Sequence, residues 1–139
     1  MKEAVRAIAW SPLGLILIRR DRPGQSSYFV LPGGGIELED RTAEDALQRE
    51  LLEELGAKPE GIRLLTALDR RPDGIGKIEY FFECLIPSIT LTFTGDEARD
   101  PERGGYRLVI IRSRDELDAV PLLPASVKAL ILAKPHFGY

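Results

Sequence analysis

The sequence has few of the residues on which several classes of protein depend. Its 139 residues include one cysteine, Cys84, so no intramolecular disulfide can form. A lone thiol is compatible with a reducing cytosol, and we expect a cytoplasmic protein. The single histidine, His136, lies far along the chain from Cys84. This separation argues against a Cys–His nucleophile and favours an inert, buried thiol.

Long apolar runs and an excess of positive charge are also missing. Nothing approaches the roughly 18 consecutive apolar residues of a membrane-spanning helix. The opening MKEAVRAIAW has charges inside its apolar stretch, so we expect no signal peptide. A formal net charge of −3 gives no electrostatic reason to expect nucleic acid or an anionic membrane as a partner. The 44% hydrophobic and 29% charged content instead fits one globular domain over residues 1–139.

The most informative stretch is a glycine run, which we predict to be a loop, followed by an acidic helix. Thr42 is predicted to be the N-cap, with Asp45 three residues on as its partner. Gly56 is predicted to end the helix after Leu55 in a left-handed conformation. At about 100° per residue, four leucines fall on one side of this helix. The residues predicted to face the core are Leu47, Leu51, Leu52 and Leu55.

Three glutamates, Glu50, Glu53 and Glu54, fall within an arc of about 100° beside that apolar face. Like charges at these spacings cost an isolated helix about 0.2–0.5 kcal/mol per pair. Mg²⁺ prefers oxygen ligands and would remove this repulsion. A solvated acidic face is the alternative, and it is the commoner meaning of such a cluster taken alone. The neighbouring Gly33-Gly34-Gly35 run favours the metal site, because glycine permits close approach of the backbone to a ligand.

Residues 49–57, RELLEELGA, resemble the REUxEExGU half of the Nudix box, in which U is a bulky aliphatic residue. Residues 31–37, LPGGGIE, are similar to the beginning of that box. The family spacing is G-x5-E-x7-RE. Counted from Gly34 it places Asp40 at the glutamate, with eight residues rather than seven before Arg49. We interpret this as a one-residue insertion near Asp40 and Arg41. Asp40 then takes the role of a glutamate that is generally supportive and not a principal metal ligand.

The resemblance implies a fold and an activity. The implied architecture is the Nudix fold of the α/β (α+β) class, a mixed β-sheet between helices in an α/β/α sandwich. The box helix would pack on one side of the sheet and the C-terminal helix on another. The implied activity is Mg²⁺-dependent hydrolysis of a diphosphate bond in a nucleoside diphosphate linked to another moiety, with Mn²⁺ as a substitute. The implied partner is thus a small nucleotide, and a homodimer is common in the family.

The resemblance also implies roles for particular residues. Glu50, Glu53 and Glu54 would hold the metal, together with the backbone carbonyl of Gly34. Arg49 would orient these carboxylates by charge-assisted hydrogen bonds. The general base would be Glu53 or a carboxylate of the acidic loop over residues 94–105. The loop candidates are Glu102, then Glu97, and a solvated polar loop is an equally good interpretation of either one.

The substrate is less well defined. The candidate substrate-binding residues are Arg19, Tyr28 and Glu97. Trp10 and Tyr28 could stack on a base, although core or rim packing is the commoner role of such aromatics. No extra N-terminal region of the kind found in larger ADP-ribose hydrolases is evident. We therefore place nucleoside triphosphates and dinucleoside polyphosphates ahead of ADP-ribose. The alternative, from another class, is a non-catalytic Nudix-like module that binds or senses a nucleotide.

Alternating apolar residues and turn signals predict the remaining elements. Strands are expected over residues 5–10, 15–19, 28–31, 62–69, 77–86, 91–93 and 106–112. A short helix capped by Ser113 and a final helix over residues 125–133 complete the chain. Because strands and helices do not alternate regularly, a doubly wound sheet is not expected. On the strand over residues 77–86, we expect Glu79 to face water.

Overall fold

A computed structural model of the chain describes residues 2–88, 99–100 and 104–139. The strands are β1 (Lys2–Ser11), β2 (Gly14–Asp21), β3 (Tyr28–Val30), β4 (Gly33–Gly35), β5 (Glu60–Asp69), β6 (Lys77–Leu85), β7 (Arg99–Asp100), β8 (Gly104–Ile111) and β9 (Leu122–Leu123). The helices are α1 (Ala43–Leu55), α2 (Arg114–Asp118) and α3 (Ala125–Leu132). The strand predicted over residues 91–93 lies outside the described residues.

The sheet is mixed and is built around β1. One edge of β1 pairs in parallel with β6 along its whole length, from Lys2 beside Lys77 to Trp10 beside Leu85. The other edge is shared, because β4 pairs antiparallel with the first half of β1 and β2 with the last residues. Strand β2 continues the sheet through antiparallel pairing with β3 and β8. The predicted mixed sheet of the α+β class is confirmed.

Alternate residues of β1 enter two different cores, because successive side chains of a strand point to opposite faces. Val5 and Ala7 pack with the apolar face of α1, whereas Ile8 and Trp10 pack with residues of α2 and α3. The sheet therefore lies between α1 on one face and the two C-terminal helices on the other, as predicted. Trp10 is 3% exposed, which confirms the packing interpretation for this aromatic.

The caps of α1 are confirmed. The Oγ1 atom of Thr42 accepts a hydrogen bond from the backbone N–H of Asp45 at 3.0 Å, and Gly56 ends the helix in the left-handed region at φ 59°. Leu47, Leu51 and Leu55 are buried, but the prediction for Leu52 is wrong, because its side chain is 62% exposed. At about 100° per residue, Leu52 lies some 60° beyond Leu55 and so leaves the buried arc.

The glycine run forms a strand, β4, where the sequence predicts a loop. Gly33 pairs with Arg6 and Gly35 with Ala4, and Gly33 has φ 148°. A Cβ atom at Gly33 would lie 2.0 Å from the carbonyl oxygen of Val5. Glycine is depleted in strands, which is why its sequence suggests a loop. Here its lack of a side chain allows β4 to approach β1 this closely.

Because of this close approach, an added side chain would clash with β1 at Gly33 but not at Gly35. Gly33→Ala is expected to lower the free energy of unfolding by about 3 kcal/mol, because the backbone of β1 or β4 must move. Gly35→Ala is the matched control, since nothing lies within 4 Å of its Cβ position. Urea unfolding of the two variants measures the difference. Equal stability of the two would contradict the β1–β4 pairing described here.

The C-terminal residues dock on the sheet through Glu83, a fully buried carboxylate of β6. It accepts hydrogen bonds from Trp10 Nε1 at 2.7 Å and Arg63 Nη2 at 2.6 Å, and Lys134 Nζ lies 2.6 Å away. Burial alone would raise the pKa of Glu83, but these three donors outweigh burial and lower it. Tyr139 adds a hydrogen bond to the carbonyl oxygen of Gly61.

Glu83→Gln is expected to destabilise the fold by about 3 kcal/mol, because it leaves the cations of Arg63 and Lys134 without their shared carboxylate. Since the folded pKa of Glu83 is lowered, its contribution is complete above the unfolded pKa and is lost as the pH falls through the folded pKa. Urea unfolding at pH 7 and pH 3.5 measures both effects. Glu60→Gln, an exposed glutamate of β5, is the control. A Glu83 variant as stable as this control would refute the role.

Candidate active site

Arg49 on α1 ties the end of the glycine strand to the helix. Its Nε and Nη2 atoms donate to the two carboxylate oxygens of Asp40 at 3.0 and 2.8 Å, and Nη2 also donates to the carbonyl oxygen of Gly35 at 3.0 Å. Its Nη1 atom donates to Glu50 at 3.0 Å and, more weakly, to Glu53 at 3.4 Å. The pKa of Arg49 is raised, mainly by Asp40 and then by Glu50. With Glu37 Oε1 at 3.5 Å from Nη1, one guanidinium therefore contacts four carboxylates and a backbone carbonyl.

Asp40 is held in place from two sides. Besides Arg49, the backbone N–H of Glu37 donates to Asp40 Oδ2 at 2.9 Å. Hydrogen bonding to Arg49, and then to Glu37, lowers the pKa of Asp40. Because it bonds Arg49 through both oxygens, Asp40 lies where it can support the helix carboxylates. The supportive role assigned to it in the sequence stays a prediction.

Glu50 and Glu54 lie against the glycine strand. The backbone N–H of Gly33 donates to Glu54 Oε1 at 2.8 Å, across 21 residues of sequence. A Cβ atom at Gly34 would lie 2.5 Å from Glu50 Oε1, so the absence of a side chain there makes room for this carboxylate. The pairing of β4 with β1 thus fixes the backbone beside both glutamates. It also places the Gly34 backbone next to them.

The pKa of Glu54 is raised to about 7. The largest cause is burial. The negative charges of Glu50 and Glu53 add to it, while the Gly33 N–H and the positive charge of Arg6 oppose it. Glu53 differs from its neighbours, because its side chain is 59% exposed. Among residues 2–88, 99–100 and 104–139, no three His, Cys, Asp or Glu side chains converge closely enough to hold a metal ion as they stand.

A cleft of about 550 Å³ lies on the side of β1 that carries Arg6, whose positive charge acts on Glu54. Arg6 donates to the carbonyl oxygen of Leu31 at 3.2 Å and to Glu79 Oε2 at 3.1 Å. Arg70 donates to the other oxygen of Glu79 at 2.8 Å. The expectation that Glu79 faces water is therefore wrong, since it is 4% exposed. Strand alternation places it on the face of fully buried Phe81, and the two arginines neutralise its charge.

Of the predicted substrate-binding residues, the structure places Tyr28 in the cleft but not Arg19. Tyr28 lines the cleft, and the guanidinium of Arg22 lies 5.4 Å from the centroid of its ring. Arg19 is bonded to Asp21 at 3.0 Å and does not line the cleft. Its neighbour Arg20 does. Glu97 and Glu102 lie outside the described residues.

Several residues of the site were not identified from the sequence. Arg6, Arg20, Arg22 and Arg70 line the cleft, but they come from separate strands and loops, and none lies in the Nudix box. Such residues have no motif of their own. The one usable signal was on β6, where Glu79 and Glu83 alternate with Phe81. Two glutamates sharing a face with a buried aromatic indicate buried ion pairs.

A protein-family model, the NUDIX domain, matches residues 2–122. The chain belongs to the Nudix family. The Nudix helix is therefore α1, and the glycine strand β4 is the start of the Nudix box. The buried thiol of Cys84, whose pKa burial raises to about 12, takes no part in this site.

Solved structures of Nudix proteins share this fold. A MutT Nudix hydrolase from Burkholderia pseudomallei is 25% identical, with 96% of this chain and 98% of the other covered and a TM-score of 0.59. An ADP-ribose pyrophosphatase from Streptococcus suis is 22% identical, with 98% and 95% covered and a TM-score of 0.66. The MutT protein from Bacillus halodurans is 18% identical, with 99% and 86% covered and a TM-score of 0.61. No significantly similar sequence was found among curated proteins.

The family and these neighbours together indicate a pyrophosphohydrolase that acts on nucleoside diphosphate derivatives. Both MutT proteins and an ADP-ribose pyrophosphatase match this Nudix chain with similar scores, so the fold does not distinguish their substrates. Among the helices of the described ranges, none reaches the length and hydropathy that a membrane crossing requires.

Proposed function

We propose that this Nudix protein hydrolyses a diphosphate bond in a nucleoside diphosphate linked to another moiety, with Mg²⁺ as cofactor. Nucleoside triphosphates and dinucleoside polyphosphates are the favoured substrates, ahead of ADP-ribose. The observation that carries the proposal is the contact of Glu50 and Glu54 with the glycine strand. It puts two carboxylates and a backbone strand together, and the positive charge of Arg6 acts on one of them, Glu54.

The donor set fits a hard divalent cation. Glu50, Glu53 and Glu54 offer carboxylate oxygens, the ligand type that Mg²⁺ prefers, and Gly34 offers a backbone carbonyl beside them. The charges of Glu50 and Glu53 both raise the pKa of Glu54, so the three carboxylates are close enough to repel one another. A bound cation would supply charge neutralisation on the phosphate oxygens and activation of a water molecule.

Residues of the protein would position the metal ligands and accept the proton of the attacking water. Water attacks one phosphorus atom, the bond to the bridging oxygen breaks, and a carboxylate accepts the proton of the water. Glu53, which is exposed and only weakly bonded to Arg49, is the candidate base within the described residues. Glu102 is the candidate from the acidic loop. Arg49 holds Glu50 in position through its bonds to Asp40 and to the carbonyl of Gly35.

The test is release of phosphate or pyrophosphate from a substrate panel, with and without Mg²⁺. The panel contains nucleoside triphosphates, dinucleoside polyphosphates, ADP-ribose and nucleotide sugars. We expect metal-dependent cleavage that is fastest with the first two classes. Fastest cleavage of ADP-ribose would overturn the substrate order. No cleavage by a folded protein that still binds nucleotide would favour the sensor function.

A further inference from the structure

The cleft beside the Nudix helix is strongly cationic, although the chain as a whole has a net charge of −3. Among the residues that the structure describes, its lining contains one carboxylate, Glu79, and five positively charged side chains. The five are Arg6, Arg20, Arg22, Arg70 and Lys77. A cleft lined by charges of one sign concentrates ligands of the opposite sign.

Glu79 cannot neutralise this charge alone. Arg6 and Arg70 each bond one of its oxygens, and Lys77 Nζ lies 3.9 Å from it. Burial, and then the positive charge of Arg6, lowers the pKa of Lys77, as expected where cations are crowded. Arg70 also pairs with Asp73 at 3.0 Å, so two carboxylates are shared among three cations in this part of the cleft.

Arg20 and Arg22 contribute two further cations to the lining of the cleft. Within the part of the chain that the structure describes, neither forms an ion pair with a carboxylate. Arg20 is half-buried at the end of β2, and Arg22 is exposed and lies over the ring of Tyr28. A half-buried guanidinium is partly shielded from water, so the negative charge of a bound ligand would stabilise Arg20.

Arg6 connects the cleft to the carboxylate site, because its positive charge acts on Glu54. Arg6 lines the cleft, donates to the carbonyl oxygen of Leu31 and pairs with Gly33 in the sheet. The N–H of Gly33 in turn donates to Glu54. A ligand whose diphosphate lies at the Nudix helix would therefore extend past Arg6 towards Arg20 and Arg22.

We propose that this cleft binds a phosphate group additional to the diphosphate that is cleaved. The inference rests on the proposed function. It narrows the substrate class to diphosphates that carry further phosphate, in a longer chain or as a phosphomonoester on the attached moiety. Arg20 and Arg22 are the specificity-determining residues. A neutral sugar or base in the same place would leave their charges unmatched, so compounds without the extra phosphate are poorer substrates.

The experiment compares matched substrates by kcat/KM in the presence of Mg²⁺. ADP-ribose 2′-phosphate against ADP-ribose tests a phosphomonoester, and diadenosine tetraphosphate against diadenosine diphosphate tests a longer chain. We expect a preference of at least about 10-fold for the more phosphorylated member of one pair. The pair that shows it identifies the source of the phosphate.

Variants of Arg20 and Arg22 test whether these residues cause the preference for the additional phosphate. Arg20→Ala and Arg22→Ala should each reduce the preference several-fold and raise KM more than they lower kcat, and Arg20→Lys should restore part of it. Arg112→Ala removes the same charge at an exposed position outside the cleft and should leave the preference unchanged. Thermal unfolding checks that each variant is folded.

The possible failures are distinguishable. Equal kcat/KM within both pairs would overturn the inference and leave the proposed hydrolysis intact. A preference that survives in both arginine variants would overturn the assignment to Arg20 and Arg22. No cleavage of any compound, in the wild type and with Mg²⁺ present, would overturn the proposed function itself.

Discussion

Glu54→Gln is expected to lower kcat by about 100-fold or more without unfolding the protein. The amide oxygen of a glutamine can still accept the hydrogen bond from the Gly33 N–H, so the contact between α1 and β4 is kept. What is lost is the negative charge beside Glu50. Glu53→Gln should have an effect of similar size, because Glu53 is both a proposed ligand and a candidate base.

Steady-state hydrolysis measures this prediction, with circular dichroism to confirm the fold. Glu44→Gln is the matched control, because Glu44 is an exposed glutamate in the first turn of the same helix. It changes the net charge by the same amount away from the site. Wild-type activity in both the Glu53 and Glu54 variants would refute the assignment of these residues.

Arg49→Lys is expected to lower kcat/KM by about 10- to 100-fold, although the charge is retained. The guanidinium makes two bonds to Asp40, one to Glu50 and one to the carbonyl of Gly35. A lysine has a single nitrogen and cannot reach all of these acceptors in the same geometry. Glu50 would then be free to leave its position beside Gly34.

Kinetics combined with urea unfolding separates the effect of Arg49 on the reaction from its effect on stability. Arg49→Lys should lose activity in greater proportion than stability, whereas Arg112→Lys, on the exposed surface, should change neither. Restored activity at high Mg²⁺ concentration would be consistent with a weakened metal site. An Arg49→Lys variant with wild-type kinetics would show that the hydrogen bonds of this guanidinium have no effect on the reaction.

Helix α1 could be predicted closely because its determinants are local. The N-cap bond joins Thr42 to a residue three positions away, and the αL stop needs only Gly56. The same locality gave the phase of Leu47, Leu51 and Leu55. Leu52 lies at the edge of the buried arc of the helix. The width of that arc depends on how the sheet packs against α1, and the helix sequence alone does not determine it.

Features that depend on the register between distant strands could not be predicted. The need for glycine in β4 comes from its pairing with β1, in which Val5 lies opposite Gly34, 29 residues later in the sequence. The ion pair between Arg6 and Glu79 joins residues 73 apart through the parallel pairing of β1 and β6. Only that pairing shows that Glu79 is buried and that the neighbouring cleft is cationic.

The candidate site was predictable in part for the same reason. The Nudix box identified Arg49, Glu50, Glu53 and Glu54 because their spacing on one helix is fixed. The contact between Glu54 and Gly33 needs the strand that the sequence suggested was a loop. Arg20 was passed over in favour of Arg19, since which of two adjacent strand residues faces a cleft depends on the packing of the whole sheet.

The central claim is that the carboxylates of α1 hold a divalent cation, and Mn²⁺ binding followed by electron paramagnetic resonance tests it most directly. Free Mn²⁺ gives a sharp spectrum that is lost on binding, so titration of the protein alone gives an affinity. The account predicts that wild type and Glu44→Gln bind equally and that Glu54→Gln binds at least about 10-fold more weakly. Equal binding by all three proteins, or none by the wild type, would contradict it.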